Sequence, residues 1–132
     1  MYDLIVIGGG PAGYVGAIKA AKSGMKTMLI ESGHLGGTCL NRGCIPMKSL
    51  LHASGEYSKI LNVEHLGIEV SGLKFDFKKM QENKNKTIGE LRQGIMQLLI
   101  ANGVDIVIDK AVIRNCHKVA AGDKLYETKR IL

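Results

Sequence analysis

The sequence predicts an α/β fold: a parallel sheet with crossover helices, followed by a small antiparallel β hairpin or meander. Three observations predict it. An unbroken apolar run, Leu4-Ile5-Val6-Ile7, leads into the glycine-rich turn Gly8-Gly9-Gly10-Pro11-Ala12-Gly13. An alanine-rich helical stretch then leads into a second apolar run that ends on an acid, Glu31. Further on, a long helical pattern precedes another apolar run and a weakly alternating stretch centred on Ala121-Gly122-Asp123.

The elements follow in order. Leu4 to Ile7 has no polar interruption, as expected of a parallel strand buried on both faces. Gly8, Gly10 and Gly13 occupy the three glycine positions of a dinucleotide fingerprint. The first permits the tight turn, the second a close approach to pyrophosphate, and the third close packing of helix on strand. The helix, about Ala12 to Ser23, presents its N-terminal amides and partial positive charge to phosphates. Lys26 to Ile30 is the second strand. Glu31 closes it at the distance beyond Gly13 expected of an acid that binds a ribose hydroxyl, and a carboxylate there repels a 2′-phosphate. Strand, turn, helix, strand and acid thus fall in the order of a Rossmann-like unit. A helix starting near Pro46 runs to about Leu61. Leu61 to Phe75 reads as connection. Asp76 can cap a helix from about Phe77 to Ala101, with Ile88, Leu91, Ile95, Leu98 and Leu99 as its core-facing stripe. Asn102-Gly103 ends it. Val104 to Ile108 is the next strand, and Ala111 to Tyr126 reads as hairpin strands.

The second chemical signal lies in Gly36-Gly37-Thr38-Cys39-Leu40-Asn41-Arg42-Gly43-Cys44-Ile45-Pro46. Cys44 falls at or just before a helix N-terminus, where the dipole and nearby Lys48 favour a thiolate and lower the thiol pKa. Cys39 is close enough in sequence for a disulfide. A dithiol that opens and closes, next to a dinucleotide cradle, points to electron transfer between the two. Two inert thiols and half of a zinc site are the alternatives, although His34, His52, His65 and His117 make no zinc spacing with the pair. Cys116 sits in a polar turn and reads as structural or exposed.

The run Gly37-Thr38-Cys39-Leu40-Asn41-Arg42-Gly43-Cys44-Ile45-Pro46-Met47-Lys48 resembles the redox-active segment of the FAD-dependent pyridine-nucleotide disulfide oxidoreductases. Leu40, Ile45 and Lys48-Ser49-Leu50-Leu51-His52 resemble the dihydrolipoamide dehydrogenase branch more than glutathione reductase. The resemblance implies an FAD-binding domain over residues 1–132. Cys39 would exchange with the dithiol substrate, and Cys44 would lie against the flavin as the charge-transfer thiolate. Lys48 would reach the flavin's reactive edge. Gly8, Gly10, Pro11, Ala12, Gly13, Glu31, Ser32, Gly37, Thr38 and Ala111 would hold FAD. Met47 stands where the family often has a small polar residue, and Asp109 where it often has glycine. NAD is implied as co-substrate, lipoyl domains of 2-oxoacid dehydrogenase or glycine cleavage complexes as partners, and a homodimer as the assembly. Mercuric or glutathione-type reductases, a small NAD-dependent dehydrogenase and a non-catalytic flavin-binding fragment are the competing readings.

The chain has 132 residues, 45% hydrophobic content and a formal net charge of +6. That suffices for one core. Lys78, Lys79, Lys84 and Lys86 lie on a predicted helix without interleaved aromatics, so a solvated face is expected and not a nucleic-acid surface. No apolar run is long enough to span a membrane. The absence of a leader and the cysteine usage suggest a cytoplasmic setting. Lys129-Arg130-Ile131-Leu132 reads as the opening of an apolar strand that leaves an unpaired, association-prone sheet edge. Family members are several times longer. The chain is therefore expected to be an N-terminal fragment that lacks the NAD and dimer-interface domains and the base histidine, and that is inactive alone.

Overall fold

The computed structural model describes residues 1–132. Two compact units are present: Met1–Thr38 with Leu91–Leu132, and Cys39–Glu90.

In the first unit, strand β1 (Leu4–Ile7) is followed by helix α1 (Pro11–Lys22) and strand β2 (Thr27–Glu31). β1 and β2 pair in parallel from Leu4 against Thr27 to Ile7 against Ile30. β2 pairs in parallel with β3 (Asp105–Ile108), with Glu31 opposite Ile108. Apolar side chains on both faces explain the burial: Ile5, Val6, Leu29 and Ile30 expose almost nothing. The other edge of β1 is also paired. Ile5 N–H donates to Arg130 O at 3.0 Å, Leu132 N–H to Ile5 O at 3.0 Å, and Ile7 N–H to Leu132 O at 2.8 Å. The segment near Leu132 is therefore not unpaired, as its sequence suggested. It runs parallel to β1, because a strand with apolar side chains on both faces is a template on both edges. The spatial order is the segment 128–132, then β1, β2 and β3.

Three short strands, β4 (Ala111–Asn115), β5 (Lys118–Ala121) and β6 (Lys124–Glu127), form the antiparallel meander. Val119 and Ala121 pack with Ile5, Met28 and Ile30 into one cluster flanked by Tyr2, Ile7, Val107, Ala111, Tyr126 and Ile131. Tyr2 Oη donates to Asp105 Oδ2 at 2.8 Å, linking the residues ahead of β1 to β3.

The second unit carries helix α3 (Cys44–Leu61), a single 3₁₀ turn at Glu64–Leu66, and the first part of a long helix, Phe77–Ala101. We number Gly37–Arg42, a short helix straddling the boundary, α2, the 3₁₀ turn α4, and Phe77–Ala101 α5. Gly36 and Gly37 both have positive φ before the backbone becomes helical. α5 starts where its cap predicts, with Lys79 N–H donating to Asp76 Oδ1 at 3.1 Å. Its stripe is only half buried. Ile88, Ile95 and Leu99 are enclosed, but Leu91 and Leu98 are 41% and 54% exposed. The apolar arc is wider than the surface that covers it. No helix is long and apolar enough to cross a membrane.

Candidate functional site

The glycine turn links β1 to α1, and each glycine has a different reason to lack a side chain. Gly8 holds φ at +105°, and its N–H donates to Ile30 O at 2.8 Å, which binds the turn to β2. At Gly13 a Cβ would fall on the carbonyl oxygen of Gly8 and 3.5 Å from Val6 Cγ1. This glycine is dictated by the packing of α1 on β1. At Gly10 the nearest atom to a Cβ would be Gly37 Cα, at 3.9 Å. The protein's own packing does not demand glycine there. The space in front of Gly10 fits a group that is not protein, as the second fingerprint glycine requires for pyrophosphate.

The start of α1 is prepared for an anion. Gly10 is its N-cap, Pro11 opens the helix, no side chain caps it, and its first turn holds no acid. The first N–H groups of a helix have no partner within it. Pro11 carries no N–H, so the open donors are those of Ala12 and Gly13, and Ala12 is exposed. The Gly36–Gly37 turn packs on the same loop. Gly36 N–H donates to Gly9 O at 2.8 Å, and a Cβ on Gly37 would lie 3.0 Å from Pro11 Cδ. Gly8, Gly10, Pro11, Ala12, Gly13, Gly37 and Thr38 thus all belong to the first unit.

Glu31 ends β2 and reaches back to the turn. Its Oε2 accepts from Gly9 N–H at 2.6 Å and its Oε1 from Gly33 N–H at 2.7 Å. Each oxygen retains acceptor capacity for a ligand hydroxyl. The sequence pointed to Glu31 but not to Gly9 and Gly33 as its holders. The only available signal was a glycine two residues after the acid. Ser32 is exposed beside it. Asp109 N–H donates to Glu31 O at 2.9 Å, so the β3–β4 connection passes next to the acid. The Asp109 carboxylate is engaged locally, accepting from Lys110 N–H at 2.6 Å. Ala111 then starts β4 opposite Ala121. A cleft of about 390 Å³ adjoins Gly33, lined by His34, Leu35, Arg92, Gln93, Met96 and Ile108.

The thiols belong to the second unit. Cys39 lies in α2, Cys44 is the first residue of α3 behind the N-cap Gly43, and both are exposed free thiols. The structure brings the pair together: a hydrogen bond joins the two side chains. That bond, with the negative charge of a Cys39 thiolate, holds the Cys44 thiol above its ordinary pKa. Burial adds to the rise. Cys44's own backbone N–H and the Lys48 ammonium pull the other way. The sequence led to a net lowering. The lowering influences are present as expected, but two thiols in contact cannot both ionise freely, and the second proton is retained. Cys116 is exposed in the turn between β4 and β5.

A model of the pyridine nucleotide-disulphide oxidoreductase family matches residues 2–132. The chain belongs to that family. Dihydrolipoyl dehydrogenase of Staphylococcus aureus is 47% identical over 109 residues, covering 83% of this chain and 23% of the relative. Dihydrolipoyl dehydrogenase of Geobacillus stearothermophilus is 43% identical over 123 residues, covering 92% and 26%. Among solved structures, the Cu(II) complex of the HOCl-induced flavoprotein disulfide reductase RclA of Escherichia coli superposes with a TM-score of 0.80 at 28% identity. It covers 98% of this chain and 27% of that one. The chain therefore spans about a quarter of the length of the proteins it matches. Family membership implies FAD, and the open space at Gly10, the uncapped helix start and the oriented acid fit that cofactor.

Proposed function

We propose that this chain is the FAD-binding and disulfide-bearing part of a dihydrolipoyl dehydrogenase. The observation that carries the reading is the contact between Cys39 and Cys44 at the start of α3. Gly8, Gly10, Pro11, Ala12, Gly13, Gly37 and Thr38 would hold the pyrophosphate. Glu31 and Ser32 would take the ribose, Ala111 the adenine side, and Lys48 the flavin edge. The NAD-binding and dimer-interface domains would lie outside these residues. Lipoyl domains of 2-oxoacid dehydrogenase or glycine cleavage complexes are the proposed partners, and a homodimer the proposed assembly.

The chain's own part is thiol–disulfide exchange. In the oxidised state, a dihydrolipoamide thiolate attacks Cys39 Sγ, a bond forms between the two sulfurs, and the Cys39–Cys44 bond breaks. Cys44 leaves with the electron pair. Its basicity changes at this step. With Cys39 capped in a mixed disulfide, Cys39 has no thiolate charge and no S–H to contribute. The two largest influences that raise the Cys44 pKa in the dithiol are then gone. The backbone N–H at the helix start and Lys48 remain, and both favour the thiolate. Cys44 is a better leaving group in the mixed disulfide than its dithiol pKa indicates. The second substrate thiol then displaces Cys39, which gives the cyclic lipoyl disulfide and the enzyme dithiol. FAD, when bound, supplies the two-electron relay from this dithiol to NAD.

The test uses a whole enzyme, of the length of these relatives, that contains this sequence. Two-electron reduction of the intact enzyme should give the long-wavelength absorption of a thiolate against oxidised flavin; Cys39→Ser, which has no disulfide to reduce, should show it without reduction, and Cys44→Ser should lack it. Both variants should lose NAD-linked dihydrolipoamide oxidation. The reverse pattern of absorption would exchange the two roles. Residues 1–132 alone should give no NADH with FAD and dihydrolipoamide, and turnover there would refute the division of labour.

A further inference from the structure

We infer that Asn102 is a modification site that the fold keeps silent. The end of α5 withholds both partners of an intramolecular deamidation, and the site reacts when that end opens. The chemistry needs only the chain and water. The backbone nitrogen of the following residue attacks the asparagine Cγ, and the new N–C bond closes a five-membered imide. The side-chain nitrogen leaves as ammonia, taking up the proton of the attacking amide. Water then opens the imide at either carbonyl, which gives aspartate or isoaspartate. A side chain on the following residue obstructs the attack, so glycine there makes the site reactive. The sequence holds six asparagines, and only Asn102 is followed by glycine.

Both reacting groups are in use in the folded chain. Gly103 has φ +72° and closes α5 in a Schellman arrangement. Its N–H, the nucleophile, donates to Ile100 O at 2.9 Å, and Val104 N–H donates to Leu99 O at 3.0 Å. Val104 and Leu99 are both buried, which locks the turn by an apolar contact. The leaving group is held as well. Asn102 Nδ2 donates to Leu98 O at 2.7 Å, so the amide reaches back along the helix while the attacking nitrogen lies ahead of it. Asn102 is half-buried and Gly103 is exposed, so water has access. Hydrogen bonding, and not exclusion of water, is what keeps the site unreactive.

The products cannot rebuild this end. Aspartate at 102 has no N–H to give to Leu98 O, and it sets a carboxylate beside the last carbonyls of α5, where the helix dipole is already negative. Isoaspartate lengthens the main chain by one methylene between Asn102 and Gly103. That shift draws Gly103 N–H and Val104 N–H away from Ile100 O and Leu99 O. Either product favours the opened end from which it arose. Modification is therefore one-way, and its extent records how often α5 has frayed where it hands over to β3.

The experiment incubates the whole enzyme that contains this sequence in mildly alkaline buffer and, in parallel, in denaturing urea. Tryptic residues 93–110 hold Asn102 as their one asparagine, so the mass gained by that peptide and its isoaspartyl methylation report this site. The unfolded chain should react first at Asn102. The folded protein should react there at least about tenfold more slowly, as expected of a site that must open locally. Val104→Ala trims the contact with Leu99 and should speed the reaction in the folded protein while leaving the rate in urea unchanged. Equal rates in folded and unfolded wild type overturn the inference, as does an Asn102 that stays intact in urea. An unchanged rate in folded Val104→Ala overturns it too. Should Val104→Ala fail to fold, hydrogen exchange of the wild-type peptide at rising urea below the unfolding transition decides. Deamidation should accelerate in step with exchange of the Gly103 and Val104 amides, and a rate that does not follow them overturns the inference.

Discussion

Replacing Gly13 with alanine should be costly, and replacing Gly10 should not, although both belong to the same fingerprint. A Cβ at 13 would fall on Gly8 O and lie 3.0 Å from the Gly8 carbonyl carbon. Non-bonded carbon contacts relax at about 3.5 Å or more. Either Gly8 or the start of α1 must therefore move by an ångström or more. Moving Gly8 breaks its 2.8 Å bond to Ile30 O, a net loss of about 0.5–1.5 kcal/mol. Moving α1 opens a gap over Val6, which is 1% exposed. Overpacking of this kind costs about 1–3 kcal/mol. Alanine returns about 1 kcal/mol of helix propensity. The net expectation is a destabilisation of about 2 kcal/mol. At Gly10 the nearest atom is 3.9 Å away, so alanine should change stability by less than about 0.5 kcal/mol while weakening nucleotide binding. Urea unfolding followed by circular dichroism measures both. Equal stability losses in the two variants would refute the assignment of one glycine to packing and the other to ligand.

Other outcomes follow from the same contacts. Leu99→Ala should cost about 2–5 kcal/mol in urea unfolding, because Leu99 is fully buried, and Leu98→Ala, at 54% exposure, should cost under about 0.5 kcal/mol. Burial and the Asp105 hydrogen bond push the Tyr2 phenol from 10.0 up to about 12. The folded state thus holds this proton more tightly than the unfolded chain. The stabilisation is complete below pH 10 and is lost as pH rises towards 12. Ultraviolet titration should show one late phenolate that Tyr2→Phe removes. Replacing Cys39 with alanine should lower the pH at which Cys44 reacts with iodoacetamide, because the hydrogen bond and charge that raise its pKa are gone. An unchanged profile would mean that the helix start and Lys48 outweigh Cys39.

Elements with strong local signals were legible in the sequence. α5 begins at Phe77 and ends at Ala101 because Asp76 caps one end and Asn102-Gly103 closes the other. β1, α1 and β2 were legible because apolar runs, glycines and an acid fall in an order that few other folds require. The residues that were misread depend on what lies next to them in space. The helical spacing of Leu91 and Leu98 marks a face and not the extent of its cover. The pKa of Cys44 follows from the Sγ of Cys39, and a count of intervening residues does not give that contact. α2 was hidden by Gly36-Gly37, whose left-handed turn resembles the end of an element and here starts one. Glu31 was visible as an acid at a strand end, whereas its amide partners were not, since backbone donors leave no trace in side-chain identity.

The pairing of residues 128–132 with β1 bears on how the chain reaches its fold. Lys129 N–H bonds to Tyr2 O, and Lys129 Nζ lies 2.6 Å from Asp3 Oδ1, so contacts link residues more than a hundred positions apart. Closing so long a loop precedes any gain from the pairing, and parallel sheets with such distant partners assemble slowly. During synthesis the first strand emerges early, and one of its edges remains open until the last of these residues has left the ribosome. In that interval the open edge of β1 could recruit a foreign strand. A fast local hairpin can form meanwhile, because β4, β5 and β6 are joined by short turns. Pulse-labelled hydrogen exchange should accordingly show the Val119 amide protected before that of Ile5.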